Sequence, residues 1–244
     1  MSHVIEIKNL VVDFHHKRAL DGLSLKVRQG EIFGFLGPNG AGKTTAIKAL
    51  LGLISPDQGE VLLHGLPPSR LASRAKIGFL PEEATYYRFL SPAEILSFYG
   101  EIFGMPKRVL KDRIQNLLSL VGLSDVQNRP IHTFSKGMVQ KVSLAQALIH
   151  EPETLILDEP TSGLDPLARM NLRKILTDLK KEGRTIFFSS HELSEVELIC
   201  DSIAIIKEGR LVKAGLIHEV LGAYKDLPLE RFFLETIRGE GEKS

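Results

Sequence analysis

No stretch of this sequence approaches the run of about 20 apolar residues that a helix needs to cross a bilayer. The first eight residues, Met1 to Lys8, alternate polar and apolar side chains as a strand does, and they lack the continuous apolar core of a secretory signal. The expectation is therefore a chain that is neither secreted nor membrane-spanning, so that any work at a membrane requires a partner to supply the span. Cysteine is nearly absent. Cys200 alone cannot form an internal disulfide, which is compatible with a reducing cytosol, and with no metal-ligand spacing around it the residue reads as a small buried hydrophobe. An excess of charge of one sign is missing too: 31 Lys+Arg stand against 30 Asp+Glu, leaving no bulk electrostatic footprint for nucleic acid or a membrane surface. Internal repeats are absent, and the one low-complexity segment is the polar end from Gly239 to Ser244, read as a frayed tail. What remains is an ordinary globular composition, 43% hydrophobic and 25% charged over 244 residues, sufficient for one large domain or two small ones.

The first part of the chain is strand-like at Val4 to Val12, Leu23 to Val27, Ile32 to Leu36 and Val61 to Leu63. Ile32 to Leu36 is almost wholly apolar, as a strand buried on both faces is, and it opens through glycines into a helix from Gly42 to Gly52. Leu110, Ile114, Leu117, Leu118 and Val121 recur at helical spacing, with Gly122 where a C-terminal cap belongs. Thr154 to Leu157 is a second apolar strand. Asp165-Pro166 reads as a helix cap with a first-turn proline, and Leu172, Ile175, Leu176 and Leu179 form that helix's apolar face up to Gly183. Thr185 to Ser189 and Ile203 to Ile206 are again strands, the latter turning at Glu208-Gly209 into Leu211 to Ala214. Alternating strands and helices imply an α/β fold whose parallel sheet is flanked by helices, with the helical stretch from about 86 to 150 inserted between two of its strands. A last helix, Pro228 to about Arg238, carries Leu229, Phe232, Phe233, Thr236 and Ile237 on one face, read as docking on the protein's own core.

Two segments carry chemistry. Gly37-Pro38-Asn39-Gly40-Ala41-Gly42-Lys43-Thr44-Thr45 has the spacing of a phosphate-binding loop (P-loop) between a buried strand and a helix. Glycines let the backbone wrap closely and turn successive N–H groups into one concavity, and the helix adds its positive end. Lys43 supplies charge to the terminal phosphates of a nucleotide, and the Thr44 hydroxyl is placed to ligate Mg2+. The second segment, Leu155-Ile156-Leu157-Asp158-Glu159-Pro160, sets two carboxylates at the carboxyl end of a buried strand, where ligands bind in such sheets. Beside a phosphate loop, Asp158 is a Mg2+ ligand and Glu159 the group that orients or deprotonates an attacking water.

Phe134-Ser135-Lys136-Gly137-Met138 before Asp158, Ser162-Gly163-Leu164-Asp165 after it and His191 beyond the next strand complete an order that resembles the ATP-binding cassette (ABC) family from about Val4 to Ala214. The resemblance implies a P-loop ATPase core with an N-terminal antiparallel β subdomain and an inserted helical subdomain, an ATP-binding domain over 1–218, and a C-terminal helix and tail over 219–244. It implies ATP and Mg2+ as cofactors and two cassettes facing each other head to tail. Ser135 and the Gly137 backbone would then contact the γ-phosphate held by the partner, with Asp165 communicating across the pair; each of Ser135 and Asp165 also reads as a plain helix cap. His191 resembles the γ-phosphate-sensing switch. Phe14 stands where an aromatic stacks on adenine, with a core role as its alternative. Two motifs depart from the usual pattern, the signature at Phe134 to Met138 and the segment ending in Glu82. The signature is ordinarily Leu-Ser-Gly-Gly-Gln, and Glu82 in Ile77-Gly78-Phe79-Leu80-Pro81-Glu82 replaces a Gln that links Mg2+ to the helical subdomain. Both departures resemble the branch that powers drug, antibiotic and sodium exporters, and a carboxylate at Glu82 remains a good Mg2+ ligand.

Three of the chain's four tyrosines fall between Tyr86 and Tyr99, with Phe89, Phe98 and Phe103 near them. In the family this region receives a helix of the membrane-spanning subunit. Tyr86 and Tyr87 are the candidates for that contact, the rest reading as a small aromatic core. The expectation is an ATPase subunit, peripheral at the cytoplasmic face of a membrane through a separate permease, with no nucleic-acid partner. The rivals are a soluble ABC ATPase not tied to transport, and a regulatory cassette with weak hydrolysis.

Overall fold

The computed structural model describes residues 2–14, 17–222 and 229–239. The chain runs β1 (His3–Phe14), β2 (Lys17–Arg28), β3 (Ile32–Leu36), α1 (Lys43–Leu50), β4 (Gln58–Leu63), α2 (Leu71–Arg74) and β5 (Ile77–Leu80). Three helices follow, α3 (Pro92–Ile102), α4 (Lys107–Leu120) and α5 (Lys136–Ala147), and then β6 (Thr154–Leu157), α6 (Pro166–Lys181), β7 (Thr185–Ser190) and α7 (Leu193–Ile199). β8 (Ser202–Lys207), β9 (Arg210–Leu216), α8 (Ile217–Leu221) and α9 (Leu229–Gly239) complete the order.

β1, β2 and β4 form an antiparallel sheet in the order β2-β1-β4, and the other six strands a second sheet in the order β5-β6-β7-β3-β8-β9. Pairing is parallel from β5 through β8, and only β9 returns antiparallel. That return is a two-residue hairpin because Glu208 and Gly209 both hold positive φ, 50° and 79°, matching the twist of the strands they join. All five residues of β3 are buried, as its central place requires. Side chains alternate across the parallel sheet. Phe33, Phe35, Ile156, Phe187 and Ile206 pack toward α1 and the antiparallel sheet. Leu36, Leu157, Ile186, Phe188 and Ile205 pack toward the helices. Gly34 lets α7 close on β3, since a Cβ there would lie 2.9 Å from Val196 Cγ1 and 3.0 Å from Cys200 Sγ. Cys200 is buried as expected, and desolvation pushes its thiol pKa well up.

The helical insertion lies between β5 and β6, which pair with one another, so α3 to α5 leave the sheet and return to it. α3 starts on a capping box: Ser91 accepts from the Glu94 amide while the Glu94 carboxylate accepts from Ser91, with Pro92 in the first turn. On α4, Leu110, Leu117 and Leu118 are buried and Ile114 packs beside them, the face read from the sequence. β2 begins at Lys17, six residues before the expected strand, because its exposed Lys17 and Arg18 hide the alternation that starts at Leu20. α9 buries Leu229 and Phe232 against α7, with Lys213 Nζ 4.8 Å above the Phe232 ring, so it docks on the protein's own core. Pro228, the Ile237 side chain and the expected tail beyond Gly239 lie outside the described residues.

Candidate functional site

The carboxyl ends of β3, β6 and β7 open on one cleft lined by Phe14, Pro38, Asn39, Gly40, Gly42, Lys43, Thr44, Thr45, Glu82, Glu159, Ser162 and His191. Two glycines of the loop are required by close contact, and Gly42 by its positive φ as well. A Cβ on Gly37 would lie 2.5 Å from the Ile206 carbonyl oxygen, and Gly42, at φ 108°, would place one 2.7 Å from that of Ala19. Gly42 caps α1 without a side chain, which leaves the first-turn amides to an incoming anion. Ala41 is buried beneath the loop, whereas Pro38, Asn39 and Gly40 face outward.

Lys43 is buried, and its ammonium is fully engaged. Nζ donates to the Gly37 carbonyl at 2.8 Å and the Pro38 carbonyl at 3.4 Å, and pairs with Glu159 Oε1 at 3.1 Å. The other Glu159 oxygen faces His191 Nδ1 at 2.8 Å and accepts the His191 amide at 3.3 Å. The carboxylate thus sits between the loop lysine and the histidine that follows β7. Asp158 is buried beside it and accepts a 2.6 Å hydrogen bond from Ser189 Oγ, which in turn accepts the Glu159 amide at 2.9 Å. Ser189 is the residue sequence reading missed: one hydroxyl registers both carboxylates, yet a serine ending a strand carries no motif. Gln140 was missed too; its Nε2 donates to the Pro160 carbonyl at 3.4 Å and ties α5 to the turn after β6.

Phe14 ends β1 with 47% of its surface exposed, so it stands at the cleft wall and not in the core. Ser135, Gly137 and Asp165 do not line this cleft. Ser135 caps α5, accepting the Met138 amide at 3.3 Å, and Asp165 caps α6, accepting the Ala168 amide at 2.8 Å. Among the described residues no three His, Cys, Asp or Glu side chains gather to hold a metal by themselves. Thr44 and Glu82 nevertheless set oxygen donors on the cleft wall, whereas Asp158 does not line it and is buried with one oxygen taken by Ser189. The donors on the wall suit Mg2+, which takes one or two protein ligands and completes its shell with phosphate and water.

Tyr86 and Tyr87, expected as a pair, divide. Tyr86 packs inward, donating from its hydroxyl to Gln146 Oε1 at 3.0 Å, and burial pushes its pKa up to about 12. Tyr87 is 73% exposed and packs tilted against Phe89, with ring centroids 5.8 Å apart and planes at 32°. With Leu90, Ile95 and Phe98 they line a concavity of about 300 Å3 on the helical insertion.

The profile of the ABC transporter family matches residues 20–162. An uncharacterized ABC transporter ATP-binding protein of Nostoc sp. is 51% identical over 207 residues, covering 84% of this chain and 62% of that relative, so the chain spans about three fifths of its length. The linearmycin resistance ATP-binding protein LnrL of Bacillus subtilis is 36% identical over 214 residues, 87% of this chain and 69% of the relative. Among solved structures, an ATP binding subunit of an ABC transporter superposes with a TM-score of 0.88 at 30% identity, over 96% of this chain and 99% of that one.

Proposed function

The chain belongs to the ABC transporter family, and on that premise we propose that it binds and hydrolyses ATP as one of a pair of cassettes and drives export through a separate membrane-spanning subunit. The single observation that carries the reading is Glu159 held between Lys43 and His191 in the cleft of the phosphate loop. Residues 1–218 would form the ATP-binding domain and 219–244 the C-terminal helix and tail.

ATP enters with adenine against Phe14 and its phosphates in the concavity from Gly37 to Thr45. Lys43 then exchanges its carbonyl partners Gly37 and Pro38 for the terminal phosphates, a trade that keeps its buried charge satisfied. As Lys43 turns to the phosphates it also releases Glu159, which accepts the proton of the water attacking the γ-phosphorus in line while the bond to the bridging oxygen of the departing ADP breaks; His191 Nδ1 holds the carboxylate's other oxygen. Thr44, Asp158 and Glu82 would hold Mg2+, which when bound neutralises charge on the phosphate oxygens. Ser135, Gly137 and Asp165 lie outside the chain's own cleft, which supports a role against the nucleotide of a facing cassette. The position of Glu82 and the altered signature from Phe134 to Met138 support the exporter branch, and the name of the linearmycin resistance relative is in keeping with it. The membrane subunit would seat at Tyr87 and Phe89 over the floor made by Tyr86, placing the chain at the cytoplasmic face.

The test is phosphate release from ATP by the full chain and by Lys43→Ala. The parent turns over and the variant falls by at least about a hundredfold. Equal turnover in the two contradicts the assignment.

A further inference from the structure

α6 begins directly after Leu164 and Asp165, and α7 directly after His191 and Glu192. One side chain bridges the two starts. Arg169, one turn into α6, donates from Nε to the Leu164 carbonyl at 2.9 Å and from Nη1 to the Glu192 carboxylate. Both partners are partly buried, Arg169 at 29% and Glu192 at 18% side-chain exposure, so the pair is screened less than a surface one. A second pair lies one turn on, where Arg173 Nη1 donates to both oxygens of Glu195 at 2.9 and 3.0 Å. That pair joins the same helices but touches neither loop.

The consequence is mechanical. Glu192 is the neighbour of His191, whose ring and amide both meet Glu159. Its own amide donates to Ser190 Oγ at 2.9 Å, so His191 and Glu192 move as one segment. A guanidinium is a flat, rigid fork, and its two arms here point at different loops. A shift of the His191 segment therefore reaches the Leu164 carbonyl and the Asp165 cap through covalent geometry. A lysine ammonium offers no second fixed arm.

We propose that Arg169 is a positioning residue that couples the His191 segment of a cassette to its own Asp165 segment, so that γ-phosphate in one cleft is communicated to the loop facing the partner's nucleotide. This inference rests on the functional reading above and deepens it.

The test is ATP hydrolysis by the full chain carrying Arg169→Lys, Glu192→Ala or both, with affinity for a non-hydrolysable ATP analogue and Tm measured alongside. Each single change lowers kcat about tenfold and makes the ATP dependence less cooperative, while analogue affinity shifts less than about twofold. The double variant is no slower than the slower single variant, because the two residues act as one unit. Arg173→Ala lowers Tm and leaves cooperativity as in the parent. Parent-like kcat and cooperativity in Arg169→Lys overturn the coupling, as do losses that multiply in the double variant or follow Tm. A parent chain that hydrolyses no ATP fails before any variant is compared, and that result strikes the functional reading itself.

Discussion

Glu159 holds φ at 48°, a left-handed conformation that costs a residue with a Cβ about 1 kcal/mol or more. The surroundings impose it: the amide is taken by Ser189, and the two carboxylate oxygens by Lys43 and His191. The bend turns the carboxylate back over the cleft, where a strand continuing straight would carry it away. Glu159→Gln preserves shape and the acceptor for the His191 ring but is no base. Phosphate release is expected to drop by about 10²–10⁴ with ATP binding retained, measured by single-turnover assay against equilibrium binding, and near-parent release would remove Glu159 from the chemistry. Ser189→Ala strands the Glu159 amide and bares one oxygen of buried Asp158. It is expected to lower unfolding free energy by about 1–3 kcal/mol in a denaturant titration, and an unchanged midpoint would show that water replaces the hydroxyl.

At the scale of elements, the helical insertion is held to the sheet partly by His150, just past α5. Its Nε2 meets the Ile77 carbonyl of β5 at 2.9 Å, and its ring stacks on Phe103 at 3.9 Å. Burial lowers the pKa of His150, and burial also lowers that of His64, which bridges from the end of β4 to Thr154 of β6. Both imidazoles are then neutral in the folded chain at pH values where the unfolded chain takes up a proton. Stability is full above the unfolded pKa of about 6.5 and falls as pH drops through it toward the lower folded values. Tm is expected to fall between about pH 7.5 and 5.5, less steeply in His150→Phe, which keeps a ring on Phe103; a Tm that rises on acidification contradicts this. The same insertion separates two tyrosines. Tyr87→Ala, with its exposed ring, should abolish co-purification of the membrane subunit without moving Tm, whereas Tyr86→Ala should lower Tm; association unaffected by Tyr87→Ala removes the proposed interface.

That separation marks what was legible in the chain. The phosphate loop, the carboxylate pair and the capped starts of α5 and α6 could be read because each is a local device with fixed spacing. The burial of Tyr86 against the exposure of Tyr87 could not, because it depends on Gln146, some sixty residues on. Ser189 stayed hidden for the same reason: its worth lies in Asp158 and Glu159, which reach it only when β6 and β7 pair. The almost wholly apolar run of β3 announced a buried strand, but its place between β7 and β8 is set by packing of distant segments.

For the whole molecule the separation is functional. The cleft gathers Phe14, Lys43, Glu82, Glu159 and His191, and leaves Ser135 and Asp165 at helix starts elsewhere on the surface. A head-to-tail pair would bring the missing groups from the facing chain. Mixing two inactive variants tests this most directly. Lys43→Ala disables the cleft a chain carries; Ser135→Asp keeps α5 capped but sets a negative charge against the phosphate of its partner. In a mixed pair one site bears both defects and the other bears neither. Phosphate release, lost in each variant alone, is expected to return when the two are mixed. Mixed variants that stay as inactive as they are apart would contradict the head-to-tail pair.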